Sequence, residues 1–454
     1  MNSMNDLIVV LPGILGSVLQ KDGKDIWALS PKAMAAGLWT LGSSIKGLEL
    51  DHDSADGEDL RDGVTAPRLM PDLHLVPGLW KIDGYSRLIR SLKYAFDLTP
   101  AENYFEFPYD WRRDNRAAAR RLKRLSTEWL HDYRKKSPQA KLILVAHSMG
   151  GLVSRYFLEC LDGWHDTRAL ITFGTPYRGS LKALDFIVNG CRKGIGPLTL
   201  LDLTELVRSF TSVYQLLPTY PCYDDGSGGL VKLAHAAGIP SLDQSRAKEA
   251  MAFHDEIAAG VEMHKSQAGY LIYPIVGTHQ PTFQSARLNG AEVEMLMSYK
   301  GHDESGDSTV PRVSATPFEL SNAGREIFAS CAHASLQNDD AVWTNVEGIL
   351  GGQSIDLSIY KGKRSDQIPV ALLVEDAYLS NEPVILRARP ERPLPSLEAQ
   401  IVNAATKESC SASFKEADNG WMSATTSRLP KGGYRVTIYS GDQARPVADA
   451  FAVV

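Results

Sequence analysis

The stretch KLILVAHSMGG, residues 141–151, carries the decisive pattern of this chain. A short continuous apolar run, Leu142 through Ala146, suits a strand buried on both faces. A histidine, a serine and small, flexible residues follow at once. From Gly150 to Cys160 the pattern becomes helical. A serine on a sharp turn from strand to helix is a nucleophile elbow. Its backbone is strained, and the positions two before and two after it must be small, because the turn brings the helix against the strand. Ala146 and Gly150 meet that demand. The pattern reads A-x-S-x-G, with Ala146 where glycine is more familiar, and a slightly wider turn absorbs one methyl group. Gly151 gives the helix further room. Ser148 is therefore the candidate nucleophile. His147 points elsewhere on such a turn and is read as a supporting residue, not the base.

The segments around this elbow repeat its texture. LIVVLPG (Leu7–Gly13) is a buried strand running into a tight loop, and ALITFGTP (Ala169–Pro176) and LIYPIVGT (Leu271–Thr278) are further buried strands. REIFASCAHASL (Arg325–Leu336) holds the last sheet strand. GYSRLIRSLKYAF (Gly84–Phe96) has helical spacing, NYFEFPYDW (Asn103–Trp111) a strand ending in a turn. Strand and helix alternate, which implies a parallel sheet covered on both faces. RRDNRAAARRLKRLSTEWLHDYRKK reads as a basic amphipathic helix with Ala118, Leu122, Leu125 and Trp129 on one face and its cations on a solvated outer face. Two stretches break the rhythm as insertions: an irregular one at about 27–80, holding the acidic loop DHDSADGEDLRDG, and one at about 181–270. After Gly351-Gly352 come short strand-like runs with turns between them, from IDLSIY to YRVTIYS, the pattern of a β-sandwich. Residues 1–352 thus read as one α/β domain and 353–454 as an all-β accessory domain.

A formal net charge of −6 and a pI near 6.0 weigh against nucleic acid as a partner. The five cysteines are scattered, odd in number and without a C-x-x-C pair, which fits neither a zinc site nor a disulfide framework. No stretch approaches a membrane span, and the first residues lack a signal-peptide pattern. The expected location is the cytoplasm, with peripheral contact to a membrane.

A serine hydroxyl is a weak nucleophile until a base takes its proton. In elbow enzymes the acid and then the histidine follow the serine along the chain. Among eleven histidines, His333 in CAHASL follows the last strand between small neighbours that leave it free to reach the elbow. His279, in VGTHQPT, is the second candidate. In GDSTVP, Asp307 follows a glycine and precedes small, β-branched residues, as suits a carboxylate at a strand end. Asp303 and Glu304 nearby read as solvated loop charges. The tetrahedral intermediate needs N–H donors held ready for its oxyanion. Met149, after the nucleophile, supplies one, and Ile14 in LPGILGS supplies the other. This chemistry calls for no metal and no organic cofactor.

VVLPGILGS, WKIDGY, PYDWR, AHSMGG, FGTPYRGS, GDSTVP and AHASL occur in this order. Together they resemble the lecithin:cholesterol acyltransferase-like family, which includes lysosomal phospholipase A2 and phospholipid:diacylglycerol acyltransferases. PYDWR is the most specific of these motifs. The resemblance implies an α/β-hydrolase core with cap insertions forming an acyl groove. It also implies Ser148 as nucleophile, His333 as base, Asp307 as the orienting acid, and Ile14 and Met149 as oxyanion donors. Tyr109, Asp110, Trp111 and Arg112 are implied to be structural, with an Asp–Arg pair bracing the loop. Two features depart from the animal members: no cysteine pair matches their cap disulfides, and the C-terminal β-rich part is not usual in them.

The expected function is a serine hydrolase of lipid acyl esters, a phospholipase or lipase, acting on a lipid substrate at a membrane surface. Transfer of the acyl group to an alcohol uses the same residues and stands as the alternative. A non-catalytic binding protein on a decayed hydrolase core is the rival from another class. Residues 353–454 either bind a protein partner or surface or pad and stabilise the core.

Overall fold

The computed structural model describes residues 4–27, 47–71, 74–76, 80–195, 198–265, 267, 269–321, 325–351, 367–441, 443–444 and 446–454. Much of the first expected insertion, the IDLSIY run and the expected boundary at 352/353 lie outside the described residues.

Six parallel strands form the central sheet: β1 (Leu7–Leu11), β2 (Tyr104–Glu106), β3 (Leu142–His147), β4 (Thr167–Phe173), β5 (Leu271–Gly277) and β6 (Ile327–Ala329). Their order is β6-β5-β4-β3-β1-β2, every pairing parallel. Every residue of β1 and β3 is buried, as continuous apolar runs in a covered parallel sheet should be. The chain leaves β1 toward β2 on one side and leaves β3 toward β4 on the other. The loops after β1 and β3 therefore diverge, opening a crevice at the carboxyl ends of these two strands. That crevice lies between LPGILGS and the elbow.

Helices cover the sheet: α1 (Ser86–Ala95), α2 (Asn115–Tyr133), α3 (Met149–Cys160), α4 (Leu181–Val188), α5 (Gln244–His264) and α6 (Asp340–Leu350). α3 packs against α2 and α5 and beneath β3 and β4, while α6 packs against α1 and β6. Asp114 caps α2 by accepting the Arg116 N–H at 2.8 Å.

The basic face of α2 differs from the expected solvated surface. Its cations and those just before it hold the acidic loop: Arg113 with Asp53 at 3.2 Å, Arg120 with Asp56 at 3.2 Å and Arg124 with Glu58 at 2.7 Å. Two segments of opposite charge, far apart in sequence, neutralise one another. The region expected to be irregular also holds strand. Ser17–Lys21 pairs with Lys24–Trp27 and with Val64–Leu69. Beyond β5, Ser285–Asn289 and Glu292–Leu296 form a hairpin. The last sheet strand, β6, is only the Ile327–Ala329 part of its expected segment.

The C-terminal residues form two sheets that share one apolar cluster, with Leu386, Ile401, Val436 and Phe451 at its centre. Pro383–Pro390 alternates buried and exposed positions in the way a half-covered strand requires. Val447–Val453, absent from the expected runs, pairs along Gly432–Tyr439. It is buried along almost its whole length, so it lacks the alternation that marks such strands. One side faces the sandwich and the other packs on the turn His333–Asn338. All five cysteines are free thiols. Among the described residues, no helix is long and apolar enough to cross a membrane.

Candidate active site

Ser148 sits between β3 and α3 with φ 51° and ψ −123°, a conformation that non-glycine residues rarely adopt. The turn is tight enough to explain its neighbours. A Cβ on Gly150 would lie 2.5 Å from the Pro12 carbonyl oxygen, and one on Gly151 would collide with Thr175. Ala146, fully buried between Leu11 and Thr172, keeps its methyl group because it is still within the sheet. Thr175 Oγ1 donates to the Ser148 carbonyl at 2.9 Å and helps to hold the turn.

His333 Nε2 stands 2.9 Å from Ser148 Oγ, and His333 Nδ1 stands 2.7 Å from Asp307 Oδ2. The other carboxylate oxygen of Asp307 accepts the backbone N–H groups of Thr309 at 3.0 Å and Val310 at 2.6 Å. With Oδ1 so occupied, Oδ2 is directed at the imidazole. The backbone also ties acid to base, since the His333 N–H donates to the Asp307 carbonyl at 2.7 Å. Gly174, with φ 56°, leaves the space for this pair: a Cβ there would lie 2.8 Å from both Asp307 Oδ2 and His333 Nδ1. The three side chains are almost dry, with Ser148 5%, Asp307 1% and His333 6% exposed. A charge pair formed by proton transfer would be little screened there.

The register Leu11↔Ala146 sets Pro12–Ile14 beside the elbow. A Cβ on Gly13 would lie 2.8 Å from Ser148 Cβ, so the loop approaches closely only because that residue is glycine. Ile14 and Met149 are both buried. Among the described residues neither of their backbone N–H groups carries a hydrogen bond.

His147 and Tyr85 connect the two loops. Gly13 N–H donates to the Tyr85 hydroxyl oxygen at 2.8 Å, and that hydroxyl lies 2.9 Å from His147 Nδ1. His147 Nε2 lies 3.2 Å from the His333 carbonyl oxygen. One tautomer satisfies every contact: Tyr85 O–H donates to Nδ1, and Nε2–H donates to the carbonyl. Burial, with the neighbouring His333 ring, pushes the His147 pKa down to about 3 and keeps the ring neutral. Sequence reasoning read His147 as supporting but gave Tyr85 no role. The one signal for Tyr85 was its place in WKIDGY.

The PYDWR segment holds the loop after β1. Tyr109 O–H donates to the Pro12 carbonyl at 2.9 Å, and Trp111 Nε1 donates to the Ser17 carbonyl at 3.0 Å. Arg112, fully buried, forks onto Asp110 at 2.9 and 2.6 Å and reaches Asp62 at 2.9 Å. Burial works against its charge, yet the two carboxylates outweigh it and raise the guanidinium pKa.

The other sequence candidates lie elsewhere in the network. The His279 backbone N–H donates to Ser305 Oγ at 2.5 Å. Asp303 and Glu304 are exposed, as expected of loop charges, and Asp303 Oδ1 also accepts from Gln284 Nε2 at 2.6 Å and from the Ser305 N–H at 2.8 Å, which braces the loop. Among the described residues, no group of three or more His, Cys, Asp or Glu side chains could hold a metal ion.

Residues 80–245 match the family described as lecithin:cholesterol acyltransferase. The human lysosomal phospholipase A and acyltransferase is 29% identical over 150 residues, covering 32% of this chain and 35% of that protein. The chicken phosphatidylcholine-sterol acyltransferase is 32% identical over 118 residues, covering 25% of this chain and 27% of that protein. Over these segments the chain is similar to the lecithin:cholesterol acyltransferase family. These alignments span about a quarter to a third of the relatives' own length. The lecithin:cholesterol acyltransferase match takes in Tyr85, PYDWR and Ser148 and ends before Asp307 and His333. A chain of the Tle4–Tli4 complex superposes over 77% of this chain and 99% of its own, with a TM-score of 0.51 and 16% identity, a likeness of fold alone. The architecture is an α/β-hydrolase fold with insertions, followed by C-terminal β sheets.

Proposed function

We propose that the protein is a serine hydrolase of lipid carboxylic esters, a phospholipase or lipase, working through an acyl-enzyme. The observation that carries this is the unbroken chain Ser148–His333–Asp307 ending at a serine of positive φ. Ser148 Oγ attacks the ester carbonyl as His333 Nε2 takes the hydroxyl proton. Asp307 holds the imidazole in the tautomer with Nδ1 protonated and stabilises the imidazolium. The Ile14 and Met149 N–H groups receive the oxyanion. On collapse, the C–O bond to the leaving alcohol breaks, and the alcohol departs with the proton from Nε2. Water, deprotonated by the same nitrogen, then attacks the acyl-enzyme and frees the acid and Ser148.

The matched relatives are named both phospholipase and acyltransferase, and an alcohol in place of that water gives acyl transfer. Hydrolysis is the leading reading and transfer to an alcohol the second. A decayed, non-catalytic core is the weakest reading, because the strained backbone at Ser148 costs stability that a binding protein has no reason to keep. In this reading residues 1–352 form the catalytic unit and 353–454 an accessory unit. The protein works in the cytoplasm and meets its substrate at a lipid surface.

The test supplies a phospholipid with a labelled acyl chain, with and without a long-chain alcohol, and identifies products by mass. Free fatty acid in both arms supports hydrolysis, and an alkyl ester in the second arm supports transfer. Full turnover by Ser148→Ala would refute the mechanism.

A further inference from the structure

We infer that the C-terminal β unit positions both the acid and the base of the relay, with Arg435 and Gln280 as the positioning residues. This rests on reading Ser148, His333 and Asp307 as that relay.

The base is held first. His333 opens a short 3-10 turn, His333–Asn338, whose far end is tied to the segment Asp83–Gly84. Asp83 N–H donates to the Ala334 carbonyl at 3.1 Å. Asn338 Nδ2 donates to the Asp83 and Gly84 carbonyls at 3.2 and 3.1 Å, and Gln337 Nε2 reaches the Gly84 carbonyl at 3.1 Å. The Asp83 carboxylate is itself almost fully buried and takes the guanidinium of Arg435, on the strand Gly432–Tyr439 of the C-terminal unit. Burial pushes the Asp83 carboxyl pKa up, and Arg435 opposes that rise. The cation from the second unit therefore favours the charged carboxylate at the site where the His333 turn is fastened. The strand Val447–Val453 packs along the same turn.

The acid is held by a separate contact. Gln280 and Asp307 are bridged as parallel neighbours, and Gln280 N–H donates to the Gly306 carbonyl at 3.0 Å. The Gln280 side chain points the other way and accepts the backbone N–H of Leu372 at 3.1 Å, in a buried position on the C-terminal unit. Two contacts from one unit thus end beside the two residues that must stay within hydrogen-bond reach of one another. A cavity of about 570 Å³, lined by Cys331, Ser335, Asn338, Arg435, Thr437 and Ala448 among others, separates the units behind the turn. There the coupling runs through a few polar contacts and not through a filled apolar seam, so it is sensitive to single side chains.

The full chain is reacted with excess fluorophosphonate ester, and the labelled residue is identified by mass. Hydroxyl attack on phosphorus forms the Ser–phosphonate bond and expels fluoride with the proton. The wild type labels at Ser148, and no labelling there would defeat the relay reading itself, not the bracing. Given labelling, Arg435→Ala and Gln280→Ala each lower the labelling rate constant by about 10- to 100-fold, the scale expected for sub-ångström to ångström misplacement of a reacting group. Arg435→Lys restores part of the loss. The double variant Asp83→Asn/Arg435→Gln leaves no unpaired buried charge, so it stays folded and is slowed as well. A merely structural role would shrink the fraction of molecules that label while leaving the rate constant untouched. Wild-type rate constants in all four variants overturn the proposal.

Discussion

His333 Nε2 lies 2.9 Å from Ser148 Oγ although 185 residues separate them along the chain. That approach is useful only if the proton on the ring sits on Nδ1, and Asp307 Oδ2, 2.7 Å away, is the acceptor that keeps it there. Asp307→Asn can present an N–H to Nδ1 and so favour the opposite tautomer, with Nε2 protonated and unable to act as base. We expect turnover to fall by about 10⁴-fold with the fold intact. Steady-state kinetics beside a circular dichroism spectrum would check it, and a loss under tenfold would remove Asp307 from the relay.

Tyr85 joins the loop after β1 to His147, whose ring reaches the His333 carbonyl. Tyr85→Phe leaves the Gly13 N–H without its acceptor and His147 Nδ1 without its donor. Leaving such buried groups unpaired costs about 1–3 kcal/mol each in the folded state. The expected outcome is a lower melting temperature together with a kcat about tenfold reduced, as the loop bearing Ile14 relaxes away from Ser148. A variant with wild-type kcat and only lower stability would show that the hydroxyl serves packing alone.

Acid should destabilise the protein well above the range where carboxylates titrate. Burial depresses the pKa of His147 to about 3 and that of His254 to about 4. In the unfolded chain both rings protonate near the ordinary value, about 6.5. Between these limits the unfolded state binds protons that the folded state refuses, so stability falls as pH falls from about 6.5. Each ring accounts for up to about 1.4 kcal/mol per pH unit while it stays neutral in the fold. Denaturant midpoints measured from pH 7 to 4.5 should decline steadily, and His254→Gln should flatten the decline. A flat profile for the wild type would contradict the assignment.

Arg112 makes one guanidinium serve Asp110, Asp62 and the Leu48 carbonyl at once while fully buried. Removing it strands two carboxylates, and Arg112→Ala should lose about 3–5 kcal/mol. Arg112→Lys should recover only part, because a single ammonium cannot span a planar fork of acceptors. Urea unfolding reads both values, and equal stability of the lysine variant with wild type would mean that charge alone matters.

The central strands and the elbow were legible because covered parallel strands appear as unbroken apolar runs, and because Gly150 and Gly151 mark where the start of α3 passes close to the Leu11–Pro12 backbone and to the Thr175 side chain. Asp307 and His333 were legible as polar residues among small neighbours just beyond strand-like runs. The strand order was not, since pairing is decided by contacts that no local pattern encodes. Nor were the tasks of Tyr85, Arg435 and Gln280, whose partners lie 62, 352 and 92 residues away. The basic face of α2 misled for a related reason: a charged helix face looks the same in sequence whether it meets water or an acidic loop.

The backbone of Ser148 carries a further consequence. A side chain at φ 51° and ψ −123° is held there against its own preference, at a cost of about 1–3 kcal/mol. Ser148→Gly would relieve that cost, less about 1 kcal/mol for glycine's greater freedom when unfolded. The molecule without its nucleophile should then melt no lower than the native one, and up to a few degrees higher. If so, this chain keeps a serine at the position that its own folding equilibrium would cede first.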